Sequence, residues 1–171
     1  MELALFLAVV ALQRLGELVL SARNARRVRS RGAREYGARH FPFIVLVHVL
    51  FLACLAAEAL AHGAHPARLW PLWLGLWLVA QALRYAAILA LGERWNVRIL
   101  VIPGAVPVRH GIYRLVRHPN YLAVVIELFA GAMIFGAWRT AAGISLLNAV
   151  ALWIRIRAED DALRRAAGGE A

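Results

Sequence analysis

Five apolar runs, roughly Leu3 to Ser21, Phe43 to Ala61, Leu69 to Leu91, Tyr121 to Phe135 and Ala137 to Ile154, leave this chain few ways to fold. Each is near the ~20 residues that cross a bilayer as a helix, the fourth being short. Leu, Ala, Val and Trp fill them without the two-residue alternation of a membrane barrel, which favours helix. The chain is 62% hydrophobic over 171 residues, more than a water-soluble core of this size needs. The expected fold class is all-α: a polytopic membrane helix bundle of about five transmembrane helices, one domain over residues 1–171. Only the turn from Gly136 to Arg139 separates the last two runs, which predicts a tight helical hairpin.

The segments between the runs are rich in arginine. The net charge is +10, from 20 Lys+Arg against 10 Asp+Glu, and every one of the basic residues is Arg. Their gathering in the inter-run segments fits membrane lipids with anionic headgroups and argues against a nucleic-acid partner. The segment "ARNARRVRSRGAREYGARH" sets seven arginines, among them Arg23, Arg31 and Arg39, against the single acid Glu35, which assigns it to the cytosol. Alternation then places the N-terminus outside and the C-terminus in the cytosol, together with the loop at 92–120 and the tail at 155–171. No basic residue occurs from Met1 to Leu12, so the first run lacks the n-region of a signal peptide and is expected to be a retained span. Cys54 is the single cysteine, which excludes an intramolecular disulfide.

Polar residues interrupt the runs at Arg14, Glu17, Glu58, Gln81, Arg84, Glu127 and Asn148. A lone charge at the bilayer centre costs at least ~2.5 kcal/mol, so these groups are expected to face the bundle interior and pair. Arg14 with Glu17, and Arg84 with Glu58 or Glu127, are the expected partners. They serve either as interhelical glue or as the lining of a substrate route. Glu127 follows Asn120 by seven residues, two turns along one helix face.

Two polar stretches are candidates for chemistry. The loop "LGERWNVRILVIPGAVPVRHGIYRLVRHPNY" is broken by Pro103, Gly104, Pro107 and Gly111 and cannot be one helix. Irregular backbone near a membrane needs protein, water or a ligand to satisfy it. Pro119 suits a first helical turn. Arg117, His118, Asn120 and Tyr121 around it form either a plain cap at the headgroup level or one wall of a site. In the tail, "LWIRIRAEDDALRR", Arg155 and Glu159 stand four apart in the weaker orientation for an intrahelical pair. That leaves a guanidinium for an anionic substrate and a carboxylate for a cationic ligand, or a solvated helix end with Asp160 and Asp161 paired to Arg164 and Arg165. No metal-binding spacing, nucleotide-binding glycine loop or nucleophile elbow is present.

Together, "GIYRLVRHPNY" and "RIRAEDDAL" resemble the isoprenylcysteine carboxyl methyltransferase family of integral-membrane methyltransferases. The stretches "QRLGELVLSARN", "LGERWN" and "LVIPGA" are most similar to a short bacterial branch associated with type III polyketide synthases. The resemblance implies an S-adenosylmethionine-dependent O-methyltransferase of the bacterial cytoplasmic membrane. Its lipophilic small-molecule substrate, an alkylpyrone or alkylresorcinol, would enter from the bilayer. It further implies a cytosol-facing cofactor pocket that includes Tyr113, His118, Pro119, Asn120, Tyr121 and Glu159, with Arg155 positioning the acceptor oxygen. Glu127, His118 or Glu159 would assist a less acidic hydroxyl. Departures from the family pattern are Ala105, where a cofactor-contacting histidine is expected, and the missing aromatic-rich stretch after the acidic motif. Both count against a prenylated-cysteine acceptor, the other enzymatic reading. A non-enzymatic scaffold or transporter is the remaining alternative, and the inverted repeats of a transporter are not found.

Overall fold

In the computed structural model, which describes residues 2–167, five helices run α1 (Leu3–Arg29), α2 (Phe41–Ala61), α3 (Trp70–Leu91), α4 (Pro119–Ile134) and α5 (Trp138–Ala167). Four are long and apolar enough to cross a membrane, and α4 is a shorter apolar helix. The chain is thus an all-α polytopic bundle. Of the expected tail at 155–171, residues 168–171 lie outside the described range.

Helix lengths set where a site can form. With 16 residues, α4 is about 24 Å long, less than the ~30 Å hydrocarbon thickness, whereas the 30 residues of α5 reach about 45 Å. Pro119 sets this limit. It occupies the first turn of α4, and its ring keeps the preceding His118 out of helical geometry, at φ −127° and ψ 65°. The loop before α4 therefore fills depth that a longer helix would occupy.

At the other end of the bundle, Phe6 packs against Trp77 and Phe135 with ring centroids 5.5 Å apart in both pairs. Gly131 lies beneath them: a Cβ there would meet Phe6 and Phe51 at 3.3 Å. Large apolar side chains such as Leu12, Val19, Leu89 and Leu146 point outward, as a lipid-facing surface requires. The α4–α5 hairpin is as tight as its sequence spacing implies, turning at Gly136 with φ +66°.

Two expectations change. The arginine-rich segment after the first run is helical up to Arg29, because no Gly or Pro interrupts it and Arg26, Arg27 and Arg29 sit at the favourable negative end of the helix dipole. Beyond it, β1 (Arg34–Tyr36) pairs antiparallel with β2 (Ile99–Val101), in the register Arg34 with Val101 and Tyr36 with Ile99. At three residues each, strands this short leave no readable alternation.

Glu58 does not pair with Arg84. Its carboxylate accepts from the backbone N–H groups of Arg139 (3.1 Å) and Thr140 (2.7 Å) and from Thr140 Oγ1 (2.7 Å), capping the start of α5 from α2. Glu58→Ala should lower stability by about 1 kcal/mol, read from thermal unfolding in detergent; an unchanged midpoint would show that the cap contributes nothing.

The remaining buried charges form one group. Arg14 contacts Glu17 at 2.8 Å and Glu127 at 3.0 Å, Arg84 bonds Glu127, and Arg84 Nε lies 3.6 Å from Glu17. Gln13 and Gln81 bond to each other beside them. Two guanidiniums and two carboxylates thus neutralise one another between α1, α3 and α4.

Candidate functional site

A cavity of about 950 Å³ lies at the end of the bundle where α1 and α3 finish and α4 begins, large enough for a cofactor-sized ligand. The 92–118 loop forms much of its wall through β2 and the turn at Gly111–Arg114, and α5 closes it with Arg155, Glu159 and Asp160.

Tyr121 is the centre of the polar wall. Buried in the second position after Pro119, its hydroxyl donates to Glu159 Oε2 and accepts from Arg155 Nε at 2.9 Å. Arg155 and Glu159, one turn apart on α5, are therefore joined through a side chain of α4 and not to each other. This geometry explains why an orientation of little intrahelical value is stable here. The Arg155 guanidinium carbon also lies 5.5 Å from the Tyr121 ring centre, and the His118 ring stacks on that of Tyr121 at 5.3 Å and 17°. These contacts bury Tyr121 and leave His118 partly exposed beside it.

Around this wall stand buried polar atoms with no hydrogen-bond partner among the described residues. Asn120 Oδ1 and His118 Nε2 are buried and unbonded. Asp160 Oδ1 is 2.9 Å from Arg117 Nη2, an ion pair outside hydrogen-bond alignment, and 3.6 Å from His118 Nε2. Buried polar atoms left this way call for a ligand or ordered water. Tyr113 faces the same space. Burial first, and the Glu159 charge second, raise its pKa above the usual tyrosine value, so it remains a hydroxyl donor at neutral pH.

The structure brings Tyr113, His118, Asn120, Tyr121, Arg155 and Glu159 to one cavity. Pro119 is fully buried at the start of α4 and acts through its backbone geometry. Glu127 stands apart. Both its oxygens are engaged by Arg14 and Arg84, and it does not line the cavity. Asn120 lines the cavity and Glu127, seven residues on, meets Arg84, so α4 passes from the cavity to the buried charge group within two turns. Asp160 also lines the cavity, a place the sequence did not suggest for it; its only expected partners were Arg164 and Arg165, in one of two readings of the tail. In the structure Asp161 takes Arg164, while Asp160 turns inward to Arg117 and His118. The available signal was its position directly after Glu159, on the flank of the inward face.

Residues 73–165 match the isoprenylcysteine carboxyl methyltransferase (ICMT) family, a span that begins within α3 and ends within α5. The chain belongs to this family. Over 160 residues it is also 38% identical to "Uncharacterized protein YpbQ" of Bacillus subtilis (strain 168), covering 94% of this chain and 95% of that one. An "Uncharacterized protein" of Haemophilus influenzae (strain ATCC 51907 / DSM 11121 / KW20 / Rd) is 27% identical over 159 residues, 92% of each chain. No solved structure matches. Family membership supports a membrane methyltransferase, and the methyltransferases of this family use S-adenosylmethionine. The matched span contains the whole polar wall from Tyr113 to Glu159, whereas α1, β1 and α2 precede it.

Proposed function

We propose that the protein is an S-adenosylmethionine-dependent O-methyltransferase of the bacterial cytoplasmic membrane, with its N-terminus outside and the cavity facing the cytosol. Its acceptor is a lipophilic molecule with an acidic oxygen, such as an alkylpyrone or alkylresorcinol. The observation that carries this reading is the Arg155–Tyr121–Glu159 chain on the cavity wall, beside the unpaired Asn120 and His118 atoms.

The residues present suit the cofactor. The Glu159 carboxylate complements a cationic group, while Asn120 Oδ1, His118 Nε2 and the Tyr113 hydroxyl supply further polar contacts. When bound, S-adenosylmethionine supplies an activated methyl group on a sulfonium, for attack by an acceptor oxygen. The protein's task is to align that oxygen and exclude water. Arg155 spends Nε on Tyr121, and among the described residues no carboxylate engages its terminal nitrogens, which leaves them for an anionic oxygen. Arg109 and Arg114 add positive charge to the cavity lining without ion pairs of their own among the described residues. An acceptor already ionised near neutral pH needs no strong base; a resorcinol hydroxyl would draw on His118 or Glu159.

S-adenosylhomocysteine should bind the detergent-purified protein saturably by calorimetry. Glu159→Ala should weaken that binding about 10–100-fold, the value of a hydrogen bond to a charged group. A well-folded wild type that does not bind would overturn the reading.

A further inference from the structure

The arms of the protein outside the family-matched span carry a polar stripe that nothing in the proposed chemistry uses. Along α1, Glu17, Ser21 and Asn24 recur at helical spacing and are all buried, at 7%, 4% and 4% exposure. The first joins the buried charge group. The other two meet the start of the cavity loop. Asn24 Nδ2 donates to the Trp95 carbonyl at 2.9 Å and to the Gly92 carbonyl at 3.3 Å, at the point where α3 ends. Ser21 Oγ accepts from the Val97 backbone N–H at 3.1 Å and lies 3.4 Å from Asn96 Oδ1. Thus "SARN" of the first helix holds "GERWNV" after the third through backbone groups.

Surface ion pairs continue the contact outward. Arg27 and Arg31 both engage Glu93, at 2.9 and 2.6 Å, and Glu35 joins Arg29 to Arg98. Strand β1 then pairs with β2. Exposed pairs contribute little each, so the buried Asn24 and Ser21 bonds are the ones that fix position. What they fix matters. The segment they hold, from Trp95 to Ile102, lines the same cavity as Tyr121 and Glu159.

We infer that Asn24, with Ser21, is a positioning residue for the cofactor: it seats the Trp95–Val101 wall by donating to loop carbonyls, and so sets the affinity of a site it does not touch. The inference rests on the methyltransferase reading above. Irregular backbone has many alternative seats, and a loop correctly seated in a tenth of the molecules raises an apparent Kd about tenfold.

The test compares S-adenosylhomocysteine binding, melting temperature and amide exchange for wild type, Asn24→Ala, Asn24→Asp and Phe6→Leu in detergent. Asn24→Asp keeps size but loses the donor. Phe6→Leu loosens the far aromatic cluster. Both Asn24 variants should raise Kd about tenfold and speed exchange at residues 95–101 alone, while Phe6→Leu lowers the melting temperature without moving Kd. Ser21→Ala, which cuts only the Val97 contact, should give a smaller change in the same direction and keeps the test open if the Asn24 variants do not fold. Wild-type-like binding by Asn24→Asp would overturn the role of donation. Loss of affinity that merely tracks melting temperature across all variants, Phe6→Leu included, would reduce Asn24 to a structural residue. Absence of binding by folded wild type would overturn the methyltransferase reading itself, and is distinguishable because no substitution is involved.

Discussion

Arg155→Ala should lower methyl transfer about 10²–10³-fold, the usual loss when one preorganised donor to a developing or transferred charge is removed. S-adenosylhomocysteine affinity should change far less. The split follows from geometry: Arg155 lines the cavity while its Nε holds the Tyr121 hydroxyl, and Glu159 has its own bond to Tyr121, independent of the guanidinium. Arg155→Lys should recover little, since one ammonium cannot both hold Tyr121 and present a planar fork to an oxygen anion. The assay is transfer of labelled methyl from S-adenosylmethionine to an alkylpyrone in proteoliposomes, beside calorimetry with S-adenosylhomocysteine. Full activity of Arg155→Ala would remove Arg155 from acceptor positioning; equal loss of rate and cofactor affinity would move it to the cofactor side of the wall.

Glu127→Ala should destabilise the folded protein by about 3–5 kcal/mol, because it leaves the Arg84 and Arg14 charges with only Glu17 between them. Arg84 is 2% exposed and cannot turn to water without opening the bundle. Replacing both partners, Arg84→Met with Glu127→Leu, should recover much of the loss, since it removes opposite charges together and leaves Arg14 and Glu17 at 2.8 Å. The measurement is thermal unfolding in detergent for the two single variants and the double, read as a cycle. Additive losses would show that the pair is not coupled. A stable Glu127→Ala with impaired methyl transfer would restore Glu127 to the chemistry, against its engagement by two arginines.

Some parts of the site were legible as chemistry of spacing. Pro119 marks the start of α4 because it lacks a backbone N–H, and the i,i+4 placement of Arg155 and Glu159 puts both on one face of α5. The bridge between them was not legible. Tyr121 lies 34 residues from Arg155 and 38 from Glu159, and no local pattern says which aromatic of α4 will meet which turn of α5. Glu127 shows the same limit from the other side. Helical periodicity gives a residue's face, but the neighbour on that face changes with depth, from the cavity at Asn120 to Arg84 at Glu127.

By itself the amino-acid sequence determined the all-α membrane bundle, its family and six of the residues that line the cavity, though not Asp160, because bilayer thickness makes ~20-residue apolar runs decisive and helical spacing is local. Tertiary structure alone decided the rest: that Glu58 caps α5, that Asp160 turns inward, that β1 pairs with β2, and that Ser21 and Asn24 hold the loop. Each of these contacts joins groups far apart in the chain through an ion pair or a few hydrogen bonds. Such bonds are stable only once the apolar packing has brought their partners together and removed competing water.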